Sequence, residues 1–334
     1  MAICIGNSLG DWLNFTEFRK GIEELRFVIY SYVMANDRYL PTQKFAVPVK
    51  GGQLALYRFG NNSSSVNHLP VLLIHGVTSS NRAFQLFARS LVERGYVPYA
   101  VDLRGRGESN NLPGPFGMKS HARDMADVIK FIGVDSLDVI GHSMGAFVAV
   151  ALQGTEPKLV KNLVLVDGGI PLPLPPGMTV AQVMPYVLGP AMARLAMTFE
   201  SPDAYRSYWK PQAAFIKGWS AVLDEYVEYD LQGEAPNLKA RTNSKAVEED
   251  SKDLFVSKLI EKTLEKLADD VLFIRAVRGL QNEEGGLYPE PVLAAVLPKY
   301  PKLKVHTIAD TNHYDILLDE VGAEAVAALI YGDK

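Results

Sequence analysis

The sequence predicts an α/β fold in which helices flank a mostly parallel, eight-stranded sheet and a helical cap is inserted late in the chain. From about residue 45, short β-branched runs alternate with longer amphipathic patterns, which is typical of a parallel sheet wrapped by helices. The apolar run at residues 71–74 lacks polar alternation, as expected of a strand buried on both faces. Between residues 170 and 245 the alternation gives way to a stretch rich in proline and methionine, which indicates the insertion.

The first elements predict a hairpin that enters the sheet from its edge. Runs at residues 45–49 and 53–59 turn at Gly51 and Gly52, and Pro48 favours an edge position for the first run. The following elements are predicted in order as a strand at 71–74, a helix at 82–94 closed by Gly95, a strand at 97–101, a helix at 120–132, a strand at 137–140, a helix at 146–153 and a strand at 163–166.

Regular elements resume after the insertion. The pattern predicts a long helix at 248–267, a strand at 271–275, a helix at 291–297, a strand at 303–308 and a last helix at 321–329. The chain therefore divides into an N-terminal helical extension (1–44), a core (45–169 and 246–334) and a helical cap (170–245).

The N-terminal extension carries one apolar stripe at helical spacing. The stripe consists of Phe18, Ile22, Leu25, Ile29 and Val33. Such stripes normally face a core, so a helix packed on the core is the favoured interpretation. A homodimer contact through residues 1–44 and a contact with a membrane surface are the alternatives.

Composition excludes several classes of function. The 334 residues are 48% hydrophobic and 22% charged, with a net charge of −4 and no Lys/Arg cluster, which argues against a nucleic-acid partner. The single cysteine, Cys4, excludes an intrachain disulfide. No secretory signal is recognised, and the apolar stretch at 27–35 is shorter than the roughly 20 residues of a membrane span. We expect a soluble, cytoplasmic protein without an integral membrane segment.

The run Gly141-His142-Ser143-Met144-Gly145 has the G-x-S-x-G pattern of a nucleophile elbow. It follows a buried strand and precedes a helix rich in alanine and valine, which is the setting that such an elbow requires. The helix N-terminus would direct free N–H groups at a developing oxyanion. Ser143 is therefore the predicted nucleophile.

From about residue 45 to its end, the chain resembles the α/β-hydrolase family, in its serine esterase and lipase-like branch with a cap. His75-Gly76 resembles the oxyanion-loop motif of that family, and residues 102–109 (D-L-R-G-R-G-E-S) resemble its D-x-R-G-x-G-x-S loop. The resemblance implies an oxyanion hole formed by the backbone N–H groups of Val77 and Met144. The loop at 102–109 is interpreted as structural, with its glycines shaping a turn beside the site.

A serine nucleophile needs a base, and the family order places that histidine last, after the nucleophile and the acid. His313 falls just beyond the last predicted strand, where the base of the family resides. The other histidines fit poorly because they precede Ser143, lie at the variable position of the elbow or lie inside the last strand: His68, His75, His121, His142 and His306.

The acid is the least determined member of the triad. The usual position, after the strand at 271–275, is followed by carboxylates only at Glu283 and Glu284. Some branches of the family place the acid after the preceding strand, where Asp167 stands here, and the carboxyl end of a buried strand is where such sheets put their sites. Asp167 is favoured, and Glu283 and Glu284 remain alternatives.

The predicted chemistry is hydrolysis of a carboxylic ester of a small to medium hydrophobic substrate through an acyl-enzyme. Residues 75–80 also resemble haloalkane dehalogenases and epoxide hydrolases, but those enzymes use an aspartate nucleophile where Ser143 stands. Carbon–carbon bond hydrolysis, thioesterase or acyltransferase activity, cofactor-free haloperoxidase activity and a low-turnover ligand receptor stay open. No metal or organic cofactor is expected for this chemistry. The glycines at 105, 107, 141 and 145 do not form a phosphate-binding loop, because no G-x-x-x-x-G-K-[S/T] run occurs.

Overall fold

The computed structural model of the protein describes residues 40–60 and 69–333. The strands in these ranges are β1 Gln43–Val49, β2 Gly52–Arg58, β3 Leu69–Ile74, β4 Tyr96–Val101, β5 Leu137–His142, β6 Val160–Val166, β7 Leu231–Gln232, β8 Lys239–Ala240, β9 Val271–Ala276 and β10 Leu303–Ile308. The helix predicted at residues 18–33, with its core, dimer or membrane contact, lies outside the described residues.

Eight strands form one sheet in the order β1-β2-β4-β3-β5-β6-β9-β10, and β7 pairs with β8 in a separate ribbon. β1 and β2 are antiparallel to their neighbours, whereas the pairs from β4 to β10 are parallel. The predicted eight-stranded, mostly parallel sheet is confirmed. All six residues of β5 are buried, as expected of a central strand covered by helices on both faces.

The α-helices in the described ranges are α1 Gln85–Glu93, α2 Met118–Ile132, α3 Met144–Thr155, α4 Val180–Leu188, α5 Pro190–Ala193, α6 Pro202–Trp209, α7 Ala221–Glu228, α8 Ser244–Ser251, α9 Lys258–Glu265, α10 Glu290–Val296, α11 Asp315–Leu318 and α12 Glu320–Tyr331. α3 starts at the elbow and packs against α2 and α9. Its alanines and valines are buried. Their small side chains let the helix approach the sheet closely. Across the described ranges, every helix is too short or too polar to span a lipid bilayer.

The single helix predicted at residues 248–267 is wrong. The chain forms α8, a 3₁₀ turn at Lys252–Leu254 and then α9. The break has a local cause: the Leu254 carbonyl accepts a hydrogen bond from the Leu172 N–H at 2.8 Å, and the Asp253 carboxylate accepts one from the Met118 N–H at 2.8 Å. These contacts hold the segment against the core, where a continuous helix could not follow.

The parallel strands bring the predicted site residues to one edge of the sheet. β3, β5, β6, β9 and β10 are successive neighbours, and their carboxyl ends lead respectively to Gly76, Ser143, Asp167, the loop at 277–284 and His313. Ser143 therefore lies at the end of the central strand β5, with the loop after β3 on one side and Asp167 on the other.

Candidate active site

Ser143 occupies a strained turn between β5 and α3. Its backbone has φ 56° and ψ −125°, a region that side-chain-bearing residues rarely adopt and that is found at functional sites. The turn is held by hydrogen bonds from the Ser143 N–H to the Val166 carbonyl (2.9 Å) and from the Ala146 N–H to the Ser143 carbonyl (3.0 Å). The side chain lines a pocket above the sheet, which is the geometry of a nucleophile elbow.

Two glycines allow this turn to pack closely. A Cβ at Gly145 would lie 1.9 Å from the Ile74 carbonyl oxygen, and a Cβ at Gly168 would lie 2.1 Å from the Ser143 carbonyl oxygen. Both neighbours are backbone atoms and cannot move aside. Gly145 thus lets α3 pass close to β3, and Gly168 lets the chain after β6 pass close to the turn at Ser143.

His313 and Asp167 form a buried hydrogen-bonded pair. Nδ1 of His313 lies 2.6 Å from Oδ2 of Asp167, and the two residues are 3% and 0% exposed. The other carboxylate oxygen, Oδ1, accepts the Ala276 N–H at 3.2 Å. Because Nδ1 donates to the carboxylate, Nε2 of the neutral ring is left as an acceptor. His313 lines the same pocket as Ser143.

Glu283 and Glu284, the alternative acids, occupy a different environment. Both side chains are exposed, and Oε2 of Glu283 accepts the N–H of Gln281 at 2.8 Å within its own loop. Among these three carboxylates, Asp167 is the one that the structure places against His313.

His142, set aside in the sequence because it is the variable residue of the elbow, contacts the base. Its Nε2–H donates to the His313 carbonyl at 3.0 Å, and the two rings lie 4.7 Å apart. Burial, and then the electrostatic effect of the nearby His313, lower the pKa of His142 well below its usual value, so the ring of His142 stays neutral beside His313. The elbow therefore holds the base loop directly, a contact that sequence spacing does not predict.

Asn312 is a second residue that sequence reasoning missed. Its Oδ1 accepts the N–H groups of Tyr314 (2.8 Å) and Asp315 (3.0 Å), and its Nδ2 donates to the Ala214 carbonyl in the inserted segment at 2.8 Å. The asparagine therefore shapes the turn that carries His313 and ties it to residues 170–245. The sequence signal that could have indicated this role is the position of an asparagine directly before a loop histidine.

His75 fixes the loop that follows β3. Its Nε2 accepts the Leu103 N–H at 3.0 Å, so Nδ1 carries the proton and donates to the Gly76 carbonyl at 2.8 Å. Gly76 in turn lies beside Ser143, since a Cβ there would be 3.3 Å from Oγ of Ser143. The His-Gly motif thus holds the peptide whose N–H belongs to Val77, a predicted oxyanion donor.

The neutral state of His75 makes stability depend on pH. Burial lowers the pKa of His75 from 6.5 to about 4, against the opposing effect of Asp102. Between pH 6.5 and 4 the unfolded chain therefore binds more protons, so stability falls as the pH falls through this window. We expect the free energy of unfolding to drop by roughly 2 kcal/mol from pH 7 to pH 5 through this residue, as measured by urea denaturation.

The matched variant for this measurement is His75→Asn, whose amide can donate from the position of Nδ1 and does not titrate. Its free energy of unfolding should change less between pH 7 and pH 5 than that of the unmodified protein. Equal pH dependence in both proteins would refute the assignment.

The pocket around Ser143 is apolar and carries no net charge. No Lys, Arg, Asp or Glu is among the described residues that line it. The apolar lining consists of Val77, Ala83, Leu188, Leu280, Leu317 and Leu318, and tyrosines 226 and 314 complete it. Burial raises the pKa of Tyr226, so this phenol stays neutral. In residues 40–60 and 69–333, His, Cys, Asp and Glu side chains form no group of three or more that could hold a metal ion.

Most aromatic residues of the inserted segment pack against each other. They meet edge to face, with ring centroids 4.7 to 6.3 Å apart: Phe199, Tyr205, Tyr208, Trp209, Phe215 and Trp219. From the segment at 170–245, the pocket is lined by Leu188 and Tyr226. The aromatic and methionine content of this segment therefore reflects packing within the segment more than the chemistry of a ligand in the pocket.

Comparison with known proteins agrees with this architecture. A model of the alpha/beta hydrolase family matches residues 71–329. Ethanol acetyltransferase 1 of Wickerhamomyces ciferrii is 27% identical over 132 residues, which are 39% of this chain and about a third (33%) of that relative. The solved structure of E-2-(acetamidomethylene)succinate hydrolase has a TM-score of 0.67 at 19% identity and covers 86% of this chain and 98% of its own. A thioesterase domain from the curacin biosynthetic pathway has a TM-score of 0.65 at 19% identity, covering 87% and 99%. Since the family model spans most of the sequence, the chain belongs to the alpha/beta hydrolase family.

Proposed function

We propose that this protein is a serine hydrolase that cleaves carboxylic esters of small to medium, uncharged hydrophobic substrates through an acyl-enzyme. The observation that carries the proposal is the buried pair of His313 and Asp167, joined at 2.6 Å, whose histidine lines the same pocket as Ser143. A histidine held in this tautomer can accept the proton of a serine hydroxyl.

In the proposed reaction, Oγ of Ser143 attacks the ester carbonyl carbon while Nε2 of His313 takes the hydroxyl proton. The tetrahedral oxyanion accepts hydrogen bonds from the N–H groups of Val77 and Met144. Met144 is the first residue of α3, so its N–H has no partner within the helix. The alcohol leaves with the proton from His313. Water then attacks the acyl carbon while His313 takes a proton from it, and the acid is released as His313 returns that proton to Oγ of Ser143. Asp167 stabilises the imidazolium in both halves.

The lining of the pocket supports an uncharged substrate. Ionised groups that enter an apolar pocket lose their hydration, and this one offers them no oppositely charged side chain among its lining residues. Leu188, Leu280 and Tyr226 instead offer apolar contact to the acyl or alcohol group. Ester hydrolysis at this site should therefore discriminate against charge.

The first test compares neutral and charged aryl esters. We expect p-nitrophenyl butyrate to be cleaved with a kcat/KM at least about 10-fold above that of the p-nitrophenyl monoester of succinate, since the carboxylate would be desolvated without a partner. The two esters carry the same leaving group and acyl chains of equal length, so the difference measures the charge once the spontaneous hydrolysis of each ester, which the succinate carboxylate accelerates by attacking its own ester, is subtracted. Equal kcat/KM values would contradict the proposed specificity. Fluorophosphonate labelling, mapped by mass spectrometry to Ser143, tests the nucleophile independently.

A second candidate is transfer of the acyl group to an alcohol in place of water. The relative from Wickerhamomyces ciferrii, named an ethanol acetyltransferase, favours it. In this reaction the acyl-enzyme ester is attacked by an alcohol oxygen, His313 takes the alcohol proton and a new ester is released. Incubation with p-nitrophenyl acetate and ethanol, followed by gas chromatography, separates the two reactions. If ethanol captures more of the acetyl groups than its concentration relative to water predicts, the resulting ethyl acetate would favour transfer. Acetate as the sole product would favour hydrolysis.

A further inference from the structure

Three consecutive carbonyl groups after β3 are held by buried side chains. The Gly76 carbonyl accepts from His75 at 2.8 Å, the Val77 carbonyl from Nε of Arg106 at 2.9 Å, and the Thr78 carbonyl from Nη2 of Arg194 at 2.8 Å. Because the C=O of one residue and the N–H of the next share a trans peptide and point in opposite directions, the contact of His75 with the Gly76 carbonyl fixes the direction of the Val77 N–H. The two arginine contacts fix the next two peptides, which directly follow the Val77 N–H that the proposed reaction uses.

Arg106 contacts both predicted oxyanion residues. Besides the Val77 carbonyl, its guanidinium reaches Sδ of Met144 at 3.9 Å. Arg106 is 0% exposed and is paired with the buried carboxylate of Asp250, which also contacts His121 at 3.0 Å. A planar guanidinium with several donors can make these contacts at once, whereas an ammonium cannot.

Arg194 makes the corresponding contact from the inserted segment. It is 2% exposed, pairs with Asp230 at 2.8 Å and lies 5.1 Å from the ring of Trp209. Tyr205 donates its hydroxyl hydrogen to the same carboxylate at 2.7 Å. The aromatic packing of the insertion thus supports a charged guanidinium whose Nη2 contacts both Asp230 and the Thr78 carbonyl.

We infer that Arg106 and Arg194 are positioning residues for the oxyanion hole, one from the core and one from the inserted segment. Neither touches the reacting atoms. Arg106 holds the Val77 carbonyl and the side chain of Met144, and Arg194 holds the next carbonyl, so that the residues that supply the two N–H donors keep their positions beside the oxyanion. The inference rests on the proposed function, and it assigns a role to the 102–109 loop beyond the shape of a turn.

The test compares Arg106→Lys with Arg104→Lys. Arg104 is a matched control because it lies in the same loop, is 1% exposed and is paired through two hydrogen bonds of 2.8 Å with the buried Asp124, yet it holds the carbonyls of Pro113 and Lys50 instead. Both variants shorten a buried, paired arginine, so a purely structural effect would appear in both.

We expect Arg106→Lys to lower kcat on p-nitrophenyl butyrate by about 10- to 100-fold with little change in KM, which is part of the 10²–10³-fold loss for a whole oxyanion donor. Arg104→Lys should keep kcat within about 3-fold when rates are referred to folded protein. Arg194→Lys should behave like Arg106→Lys.

The second readout is the inhibition constant of phenylboronic acid, whose serine adduct is tetrahedral and places an oxygen in the oxyanion hole. For Arg106→Lys this constant should rise in proportion to the loss of kcat/KM. A fall in kcat without weaker boronate binding, or an unchanged kcat, would overturn the inference. Arg106→Gln combined with Asp250→Asn removes both buried charges together and gives the same comparison if the lysine variant does not fold. If neither folds, Arg194→Lys decides alone.

Measurements on the wild-type protein distinguish a failure of the proposed function from a failure of the inference about the two arginines. If it neither cleaves esters nor binds the boronate, the proposed function fails. If it does both, and the Arg106 and Arg194 variants match Arg104→Lys, the inference alone fails.

Discussion

Replacing Ser143 with alanine is expected to lower kcat for ester hydrolysis by at least about 10⁴-fold, because the acyl-enzyme can no longer form. The change removes one oxygen atom. It leaves the elbow hydrogen bonds intact, since the Ser143 backbone makes them. The residual rate would reflect the oxyanion donors and substrate binding alone. Initial rates with p-nitrophenyl butyrate, compared at equal concentrations of folded protein, measure the effect.

Ser79→Ala is the matched control for this loss. Ser79 lines the same pocket, and the same hydroxyl is removed, but Ser79 has no role in the proposed reaction. Its variant should keep kcat within about 10-fold of wild type, since it loses a neighbouring contact rather than the nucleophile. Wild-type activity in Ser143→Ala would refute the central proposal. Unaltered ligand binding combined with complete loss of turnover would count against a receptor role.

Much of the fold was predictable because its determinants are local. The composition of residues 71–74 alone indicates a buried strand. The elbow is indicated by Gly141 and Gly145, where an added Cβ would collide with backbone atoms. The placement of His313 followed from chain order and from its position just beyond a strand. These signals need no knowledge of distant contacts.

The contacts that complete the site are not local. His142 and His313 are 171 residues apart, and Arg106 reaches Val77 and Asp250 across 29 and 144 residues. Polar residues of this kind look the same in a sequence whether they are solvated or buried. The break between α8 and α9 was missed for the same reason, since hydrogen bonds to Leu172 and Met118 cause it.

Asp167→Asn is expected to lower kcat by about 10⁴-fold while leaving the fold intact. The orientation of the new amide follows from the contacts of the carboxylate. Oδ1 of Asp167 accepts the Ala276 N–H, so the amide oxygen should stay there and the amide NH₂ should face His313. That group donates to Nδ1 and forces the proton onto Nε2, where the ring can no longer accept the proton of Ser143.

The carboxylates that competed for this role in the sequence supply the controls. Glu283→Gln and Glu284→Gln change exposed side chains and should keep kcat within about 3-fold of wild type. Thermal denaturation of all three variants checks that the folded state persists. If Glu284→Gln or Glu283→Gln caused the large loss and Asp167→Asn did not, the acid would belong to the loop after β9, and the hydrogen bond between Asp167 and His313 would be structural. The 2.6 Å contact between two buried groups predicts the opposite, because burying a carboxylate is costly unless it is hydrogen-bonded, and His313 is one of the two hydrogen-bond partners of the Asp167 carboxylate among the described residues.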